Sequence, residues 1–231
     1  CESVGEIREE LDGRRSLWVE SGVRLPSLVG FLGRKGLSGL EWAVGIPGTV
    51  GGAAVVNAGA FGRCFADGLS RLEVMELDGT RHIWSVGELR PGYRTSALRG
   101  EPEGRVVTRV EMALEADDRA QVEKRLAEYG ECRRASQPYE PSVGSVFKNP
   151  SEASAGWLVE QVGLKGLAQG DAQISPRHAN FIVNRGRAKA SDVLYLIQTA
   201  KDRVYSQFGI ELGLEIDLIG LAEESAPMRG C

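Results

Sequence analysis

The sequence predicts an α+β chain in two parts, and three observations carry that reading. Alternating apolar runs are interleaved with apolar residues spaced three and four apart, so strand and helix signals mix along the chain. One pair of strand signals flanks an Asp-Gly turn, which points to antiparallel pairing. Beyond a polar helix ending near Arg134, the pattern changes to short helices between short strands. With 231 residues, one large or two small domains of the common size are expected, and either can bury a core.

Taken in order, Ser16–Ser21 reads as a strand and Leu25–Lys35 as a helix with its apolar face at Leu25, Leu28, Val29 and Leu32 and a stop at Gly36. A glycine cluster follows. Leu72–Leu77 and Arg81–Trp84 form the hairpin signal, with Asp78-Gly79 favouring a type I′ turn. Arg105–Leu114 alternates as a strand, and Asp118 caps a helix running to about Arg134 through Val122, Leu126 and Tyr129. Ser154 caps a helix over Ala155–Val162 that Gly163 ends, and Ala179–Asn184 is a compact strand. The clearest helix has Ser191 as N-cap candidate, Val193, Leu196, Ile197, Ala200, Val204 and Phe208 on one face, and Gly209 past its end. Leu212–Ile219 supplies a last strand, and Glu223–Cys231 reads as a loose tail.

Composition narrows the class of function. Hydrophobic residues at 42% and charged residues at 26% are those of a folded globular chain. A net charge of −4 gives no global positive field, so neither nucleic acid nor an anionic membrane is an expected partner. No apolar run approaches the ~18 residues of a membrane span, and no signal region opens the chain, so the expected location is cytoplasmic. The four cysteines, Cys1, Cys64, Cys132 and Cys231, lie far apart with only His82 and His178 to help, so no metal site is expected.

Four clusters could carry chemistry. Gly45 to Gly62 places six glycines and Pro47 within eighteen residues, a backbone that can turn N–H groups toward an anion. A string of turns would need the same residues. The segment has neither the Walker lysine nor GxGxxG. Tyr93-Arg94-Thr95-Ser96 offers a planar donor for a carboxylate or phosphate. Pro141 to Pro150 packs Ser145, Lys148 and Asn149 between two prolines, where a cation near the serine could make it a competent proton donor in a dry site. Glu215 sits in the last apolar run.

In this order the clusters resemble the UDP-N-acetylenolpyruvoylglucosamine reductase family. The resemblance rests on GLSGLE at 36–41, GIPGTVGGAAVVNAGAFG at 45–62, YRTS at 93–96, PSVGSVFKNP at 141–150, GLKG at 163–166, HANFIVN at 178–184 and IELGLEIDLIG at 210–220. It implies an FAD-binding domain of the vanillyl-alcohol-oxidase type with a smaller αβ substrate-binding domain, in the family's shorter subtype. The implied domains are an FAD-binding region over 1–114, a substrate-domain core over 115–184, a helix and strand over 185–220 that return toward the active site, and a tail over 221–231.

The resemblance further implies a monomer that uses FAD and NADPH to reduce the enolpyruvyl group of a UDP-sugar. Gly45, Ile46, Pro47, Gly48, Thr49, Gly51, Gly52, Asn57, Ala58 and Gly59 are then cofactor-binding, and Arg94, Ser145 and Glu215 catalytic. Tyr93, Lys148 and Asn149 are near substrate. The chain departs from the family pattern at Leu89-Arg90-Pro91-Gly92, where an aromatic is usual, and at Ala168 and Asp171, where Arg and Gly are. Nothing before Ser16 resembles the family's GSNLL-like pyrophosphate loop, so the segment reads as N-terminally shortened. A catalytically impaired nucleotide-sugar-binding remnant and another FAD oxidoreductase of the same fold are the alternatives.

Overall fold

A computed structural model describes residues 3–9, 15–100 and 104–220. The chain divides into two units, Cys1–Arg133 and Arg134–Cys231. That division falls within the last turn of the polar helix, whereas the resemblance puts the end of the FAD-binding region before that helix, at residue 114.

The first unit contains β1 (Val4–Glu9), β2 (Arg15–Glu20), α1 (Leu25–Lys35), β3 (Leu37–Ser38), α2 (Val50–Val55), β4 (Gly59–Ala60) and β5 (Arg63–Cys64). It continues through β6 (Leu69–Met75), β7 (Arg81–Ser85), α3 (Val86–Leu89), β8 (Val106–Ala116) and α4 (Arg119–Ser136), whose last turn crosses the division. One antiparallel sheet runs β1-β2-β8-β6-β7, with β3 also paired to β8. On β8 the buried side changes from Val107 to Val110, Met112 and Leu114. The register explains it, because Glu73 faces Arg109 while Val74 faces Val107, and the extra residue Thr108 turns the alternation over.

The stripe Leu25, Leu28, Val29 and Leu32 buries α1 against this sheet's core. Gly36 (φ 64°) ends the helix in the left-handed conformation, with its N–H on the Gly33 carbonyl at 3.1 Å. Asp118 caps α4 as expected, its Oδ1 accepting from the Gln121 N–H at 3.1 Å. β1 was not expected from the sequence.

The hairpin between β6 and β7 exists, but its turn is not type I′. Only Gly79 (φ 88°) is left-handed, and Asp78 is not among the residues of positive φ. Glu76 N–H donates to Thr80 O at 2.9 Å and Gly79 N–H to Glu76 O at 3.0 Å, so three residues span the loop and a single glycine closes it. The Asp78 carboxylate accepts from Thr80 N–H instead of taking a left-handed position.

The second unit has β9 (Ser142–Ser145), α5 (Ala155–Gln161), β10 (Ala168–Gln169), β11 (Ala172–Ile174), β12 (Phe181–Asn184) and α6 (Ala190–Phe208). Its antiparallel sheet runs β10-β11-β12-β9. A separate core of Phe147, Leu158, Val159, Leu164, Leu196 and Val204 forms between that sheet and helices α5 and α6. Ser154 caps α5 through the Trp157 N–H, and Gly163 (φ 72°) follows its end, both as expected.

Two expectations here are corrected. α6 begins at Ala190 with Lys189 as N-cap, not with Ser191, because the Asp192 carboxylate accepts the Lys189 N–H at 2.9 Å and fixes the start two residues earlier. Leu212–Ile219 is not a ladder strand, since it pairs at one bridge only, Phe147 with Leu214. Its alternation comes from packing, with Leu212 buried and Leu214 and Ile216 against the second core. The partner segment runs into Pro150, which has no N–H for a longer ladder. The tail Glu223–Cys231 lies outside the described residues.

Candidate active site

The glycine segment of the first unit separates into scaffold and exposed rim. Gly51 is buried, and its N–H donates to Ser21 O at 2.9 Å while the Val50 N–H donates to Val23 O at 2.9 Å. A Cβ on Gly51 would stand 2.6 Å from the Ser21 Cβ, so this glycine is required by the close approach of α2 to the chain after β2. The first N–H groups of α2 are thus consumed inside the protein, which the expectation of an open run of donors did not foresee. Gly45, Pro47, Gly48, Thr49 and Gly52 are exposed, and Ile46 is half-buried. Among the described residues, the N–H groups of Gly48 and Thr49 take no backbone partner, and nothing lies within 4 Å of where a Gly48 Cβ would be. Both residues are exposed, so these two donors are available to an anionic or carbonyl oxygen.

Asn57 belongs to the scaffold as well. It is buried and left-handed (φ 45°), its Oδ1 accepts from Ala66 N–H at 3.0 Å and its Nδ2 donates to Gly92 O at 2.9 Å. Both ends of the amide are used to hold the segment against the turn before Tyr93. Ser96 adds a second tie, its hydroxyl donating to Val55 O at 2.6 Å.

Those ties bring Arg94 to the glycine segment. Gly92 and Thr95 bridge each other across a tight turn, Arg94 is left-handed (φ 56°), and its Nη2 donates to Gly59 O. Gly59 must be glycine for this, because a Cβ there would lie 2.8 Å from Arg94 Nη1 and 2.5 Å from Arg63 O. Tyr93 is half exposed and lies under the guanidinium at 5.1 Å from ring centroid to Cζ. A left-handed non-glycine residue costs roughly 1 to 2 kcal/mol, and here it is over-determined by two bonded neighbours. Arg94, Tyr93 and Gly59 therefore form one cluster in the first unit, and Ala58, next in the chain, is tied instead to Ala53 and Phe65 through its backbone.

In the second unit the structure joins residues that the sequence keeps some seventy positions apart. Lys148 N–H donates to Gly213 O at 2.8 Å and Glu215 N–H to Val146 O at 2.9 Å, on either side of the Phe147–Leu214 bridge. Ser145, Lys148 and Glu215 consequently lie on two adjacent segments, and all three are partly exposed. Asn149 has a structural duty too, its Oδ1 accepting from Ala155 N–H at 3.0 Å at the start of α5. Asp171, one of the departures from the expected motif, anchors the loop after β12 by accepting the Arg187 N–H at 2.7 Å.

Two groups beside these clusters carried no expectation. Glu41 is buried, and although burial raises its pKa, bonds from Gly39 N–H, Ser38 Oγ and Arg125 Nε outweigh that and hold it below the usual carboxylate range. It ties α4 to the chain entering the glycine segment. Asn180 is also buried, at 4% exposure, and bonds the backbone of Val146 and Phe147. Its place in the HANFIVN run, just before β12, was the available signal. Among the described residues no group of His, Cys, Asp and Glu could hold a metal ion, Cys64 and Cys132 are in no disulfide, and no helix is long and apolar enough to cross a membrane.

With this geometry in view, comparison with known proteins is specific. Residues 4–85 match the family model described as an FAD binding domain, and residues 137–219 match that of the UDP-N-acetylenolpyruvoylglucosamine reductase C-terminal domain. A UDP-N-acetylenolpyruvoylglucosamine reductase of Trichormus variabilis is 47% identical over 204 residues, 87% of this chain and 61% of the relative. One from Moorella thermoacetica is 44% identical over 93% of this chain and 70% of its own. The crystal structure of UDP-N-acetylenolpyruvylglucosamine reductase from Thermus caldophilus superposes with a TM-score of 0.77 at 44% identity, covering 87% of this chain and 71% of that one. The chain thus spans about three fifths of the length of the first of these relatives.

Proposed function

The chain belongs to the UDP-N-acetylenolpyruvoylglucosamine reductase family, and from that premise we propose that it carries the NADPH-dependent, FAD-mediated reduction of the enolpyruvyl group of UDP-N-acetylglucosamine enolpyruvate to UDP-N-acetylmuramate, a step toward peptidoglycan precursors. The observation that supports the proposal is the backbone pairing of the Ser145–Lys148 segment with the Gly213–Glu215 segment, which brings the stretch bearing the hydroxyl and the ammonium beside the stretch bearing the carboxyl. The exposed Gly48 and Thr49 N–H groups and the open space over Gly48 fit an oxygen of FAD. Bound FAD supplies a relay that accepts hydride from NADPH and delivers it to C3 of the enolpyruvyl group.

The residues of the chain then handle charge and protons. Hydride addition at C3 moves negative charge into the adjacent carboxylate as an enediolate-like species. Arg94, held on the Gly59 carbonyl, neutralises that charge without reorganising. Ser145 delivers a proton to C2, its hydroxyl made a better acid by the Lys148 cation on the same loop. Glu215 holds or shares a proton at the carboxyl end. Tyr93, Lys148 and Asn149 orient the UDP-sugar. The same reading makes the protein a cytoplasmic monomer, which light scattering on the purified chain tests.

Ser145→Ala is expected to leave flavin reduction by NADPH unchanged and to slow transfer to the enolpyruvyl substrate by roughly 10²-fold or more, as for loss of a positioned acid. Arg94→Ala and Glu215→Gln are expected to retain flavin and to lose the same second step. Stopped-flow absorbance follows each half reaction by itself. Wild-type transfer rates in Ser145→Ala would overturn the assignment, and release of flavin by the other two would make them structural.

A further inference from the structure

We infer that Asn180 is a positioning residue for the proposed reaction, setting the Ser145 loop and, through it, Glu215. The inference rests on the functional reading above. Its starting point is a motif to which that reading gives no task, the HANFIVN run at 178–184.

Every hydrogen-bonding group of Asn180 is committed, and three of the four face one dipeptide. The Asn180 carbonyl accepts Val146 N–H at 2.9 Å. Its Oδ1 accepts Phe147 N–H at 2.9 Å, and its Nδ2 donates to Phe147 O at 2.8 Å. The fourth, its own N–H, donates to His178 Nδ1 at 3.2 Å. The side chain therefore imitates an extra strand residue. It pairs with Phe147 just beyond the Phe181–Ser145 pair, extending the β12–β9 ladder at the end away from its register shift between Phe181 and Val183.

The dipeptide held in this way has Ser145 immediately before it and Lys148 immediately after. On its far side it carries the Phe147–Leu214 bridge and the Val146 O bond to Glu215 N–H. One buried amide thus fixes the peptides between Ser145 and Lys148 and, through the Val146 O bond to Glu215 N–H, the segment that bears the carboxyl. Asn180 touches none of the groups that react. Its effect is geometric, and displacement of a reacting group by about 1 Å can cost on the order of 10²-fold in rate.

Asn180→Ala removes both side-chain bonds, and Asn180→Asp keeps an acceptor for Phe147 N–H but no amide donor for Phe147 O. Both are assayed beside wild type for flavin reduction by NADPH, for transfer to the enolpyruvyl substrate, and for amide hydrogen exchange. The expected result is unchanged flavin reduction in all three. For transfer, kcat falls roughly 10²-fold in Asn180→Ala with KM moving much less, and Asn180→Asp falls between. Exchange should quicken at Val146, Phe147 and Glu215 in the variants while the α6 amides stay protected, and a variant that does not fold is recognised by loss of that protection. In that case Asn180→Asp alone decides. Wild-type transfer in a folded variant overturns the positioning role and leaves the reaction assignment standing. A wild-type chain that reduces flavin but never transfers to the enolpyruvyl substrate overturns the reaction assignment, and the positioning role with it.

Discussion

His178 shows how much can depend on which nitrogen of one imidazole carries a proton. Its Nδ1 accepts the Asn180 N–H, which requires that nitrogen to be bare. Burial, reinforced by the Lys165 charge, pushes the His178 pKa below its ordinary value, and the nearby Glu160 charge only partly opposes this. As pH falls, the unfolded chain therefore takes up the proton before the folded one does. The contribution to stability is complete above the ordinary histidine value of about 6.5 and is lost progressively as pH falls below it. The expected outcome is a decline in urea midpoint from pH 7.5 to 5.5 that is shallower in His178→Phe, with the Glu160 and Lys165 pair on the same surface unchanged. Equal slopes for the two proteins would show that other groups carry the pH dependence.

At the scale of elements, the features that local sequence rules could reach are those whose cause is local. The stop of α1 at Gly36 and the caps of α4 and α5 depend on residues within one turn, and each forms as the sequence indicates. The β6–β7 turn type and the start of α6 were settled by side-chain carboxylates, Asp78 and Asp192, competing with the residues that pattern rules favour. Leu212–Ile219 carries a strand period because it packs, although its partner cannot pair further. At the candidate site, Arg94, Ser145 and Glu215 were singled out by the motifs that carry the family resemblance, whereas the bonds of Asn180 were not legible, because a strand pattern shows nothing of long-range backbone bonds. The glycines were legible as a cluster but not by role. Gly51 serves packing, and Gly51→Ala would force its Cβ against Ser21 Cβ at 2.6 Å and Ser21 Cα and O at 3.3 Å. Overpacking of this kind costs roughly 1 to 3 kcal/mol, a fall in Tm of several degrees. Gly48→Ala meets no atom, though its φ of 106° is strained for alanine, so calorimetry should show the smaller fall for Gly48. Equal falls would mean that crowding at Ser21 is relieved.

For the molecule as a whole, the change of pattern along the sequence corresponds to two separate hydrophobic cores, one around Leu17, Leu28, Leu72 and Met112 and the other around Leu158, Leu164, Leu196 and Val204. The proposed chemistry divides in the same way, with the Gly48–Thr49 donors and Arg94 in the first unit and Ser145, Lys148 and Glu215 in the second. Flavin binding draws on the first unit alone, whereas transfer to the substrate draws on both, so a core defect in the second unit should spare flavin and one in the first should not. Leu72 and Leu158 are both fully buried leucines, so truncating either removes the same group and leaves a cavity, at a cost of about 2 to 5 kcal/mol. Because local stability follows local packing, the loss should be concentrated in the unit that contains the cavity. Leu158→Ala is expected to speed amide exchange across residues 142–212 and to slow transfer to the enolpyruvyl substrate, while flavin binding and its reduction by NADPH persist. Leu72→Ala is expected to raise exchange in β6 and β8 and to weaken flavin retention, with exchange in the second unit unchanged. Exchange measured by mass spectrometry on both variants, alongside flavin absorbance, tests the division. A uniform rise in exchange from either leucine would mean that the two cores unfold as one cooperative unit.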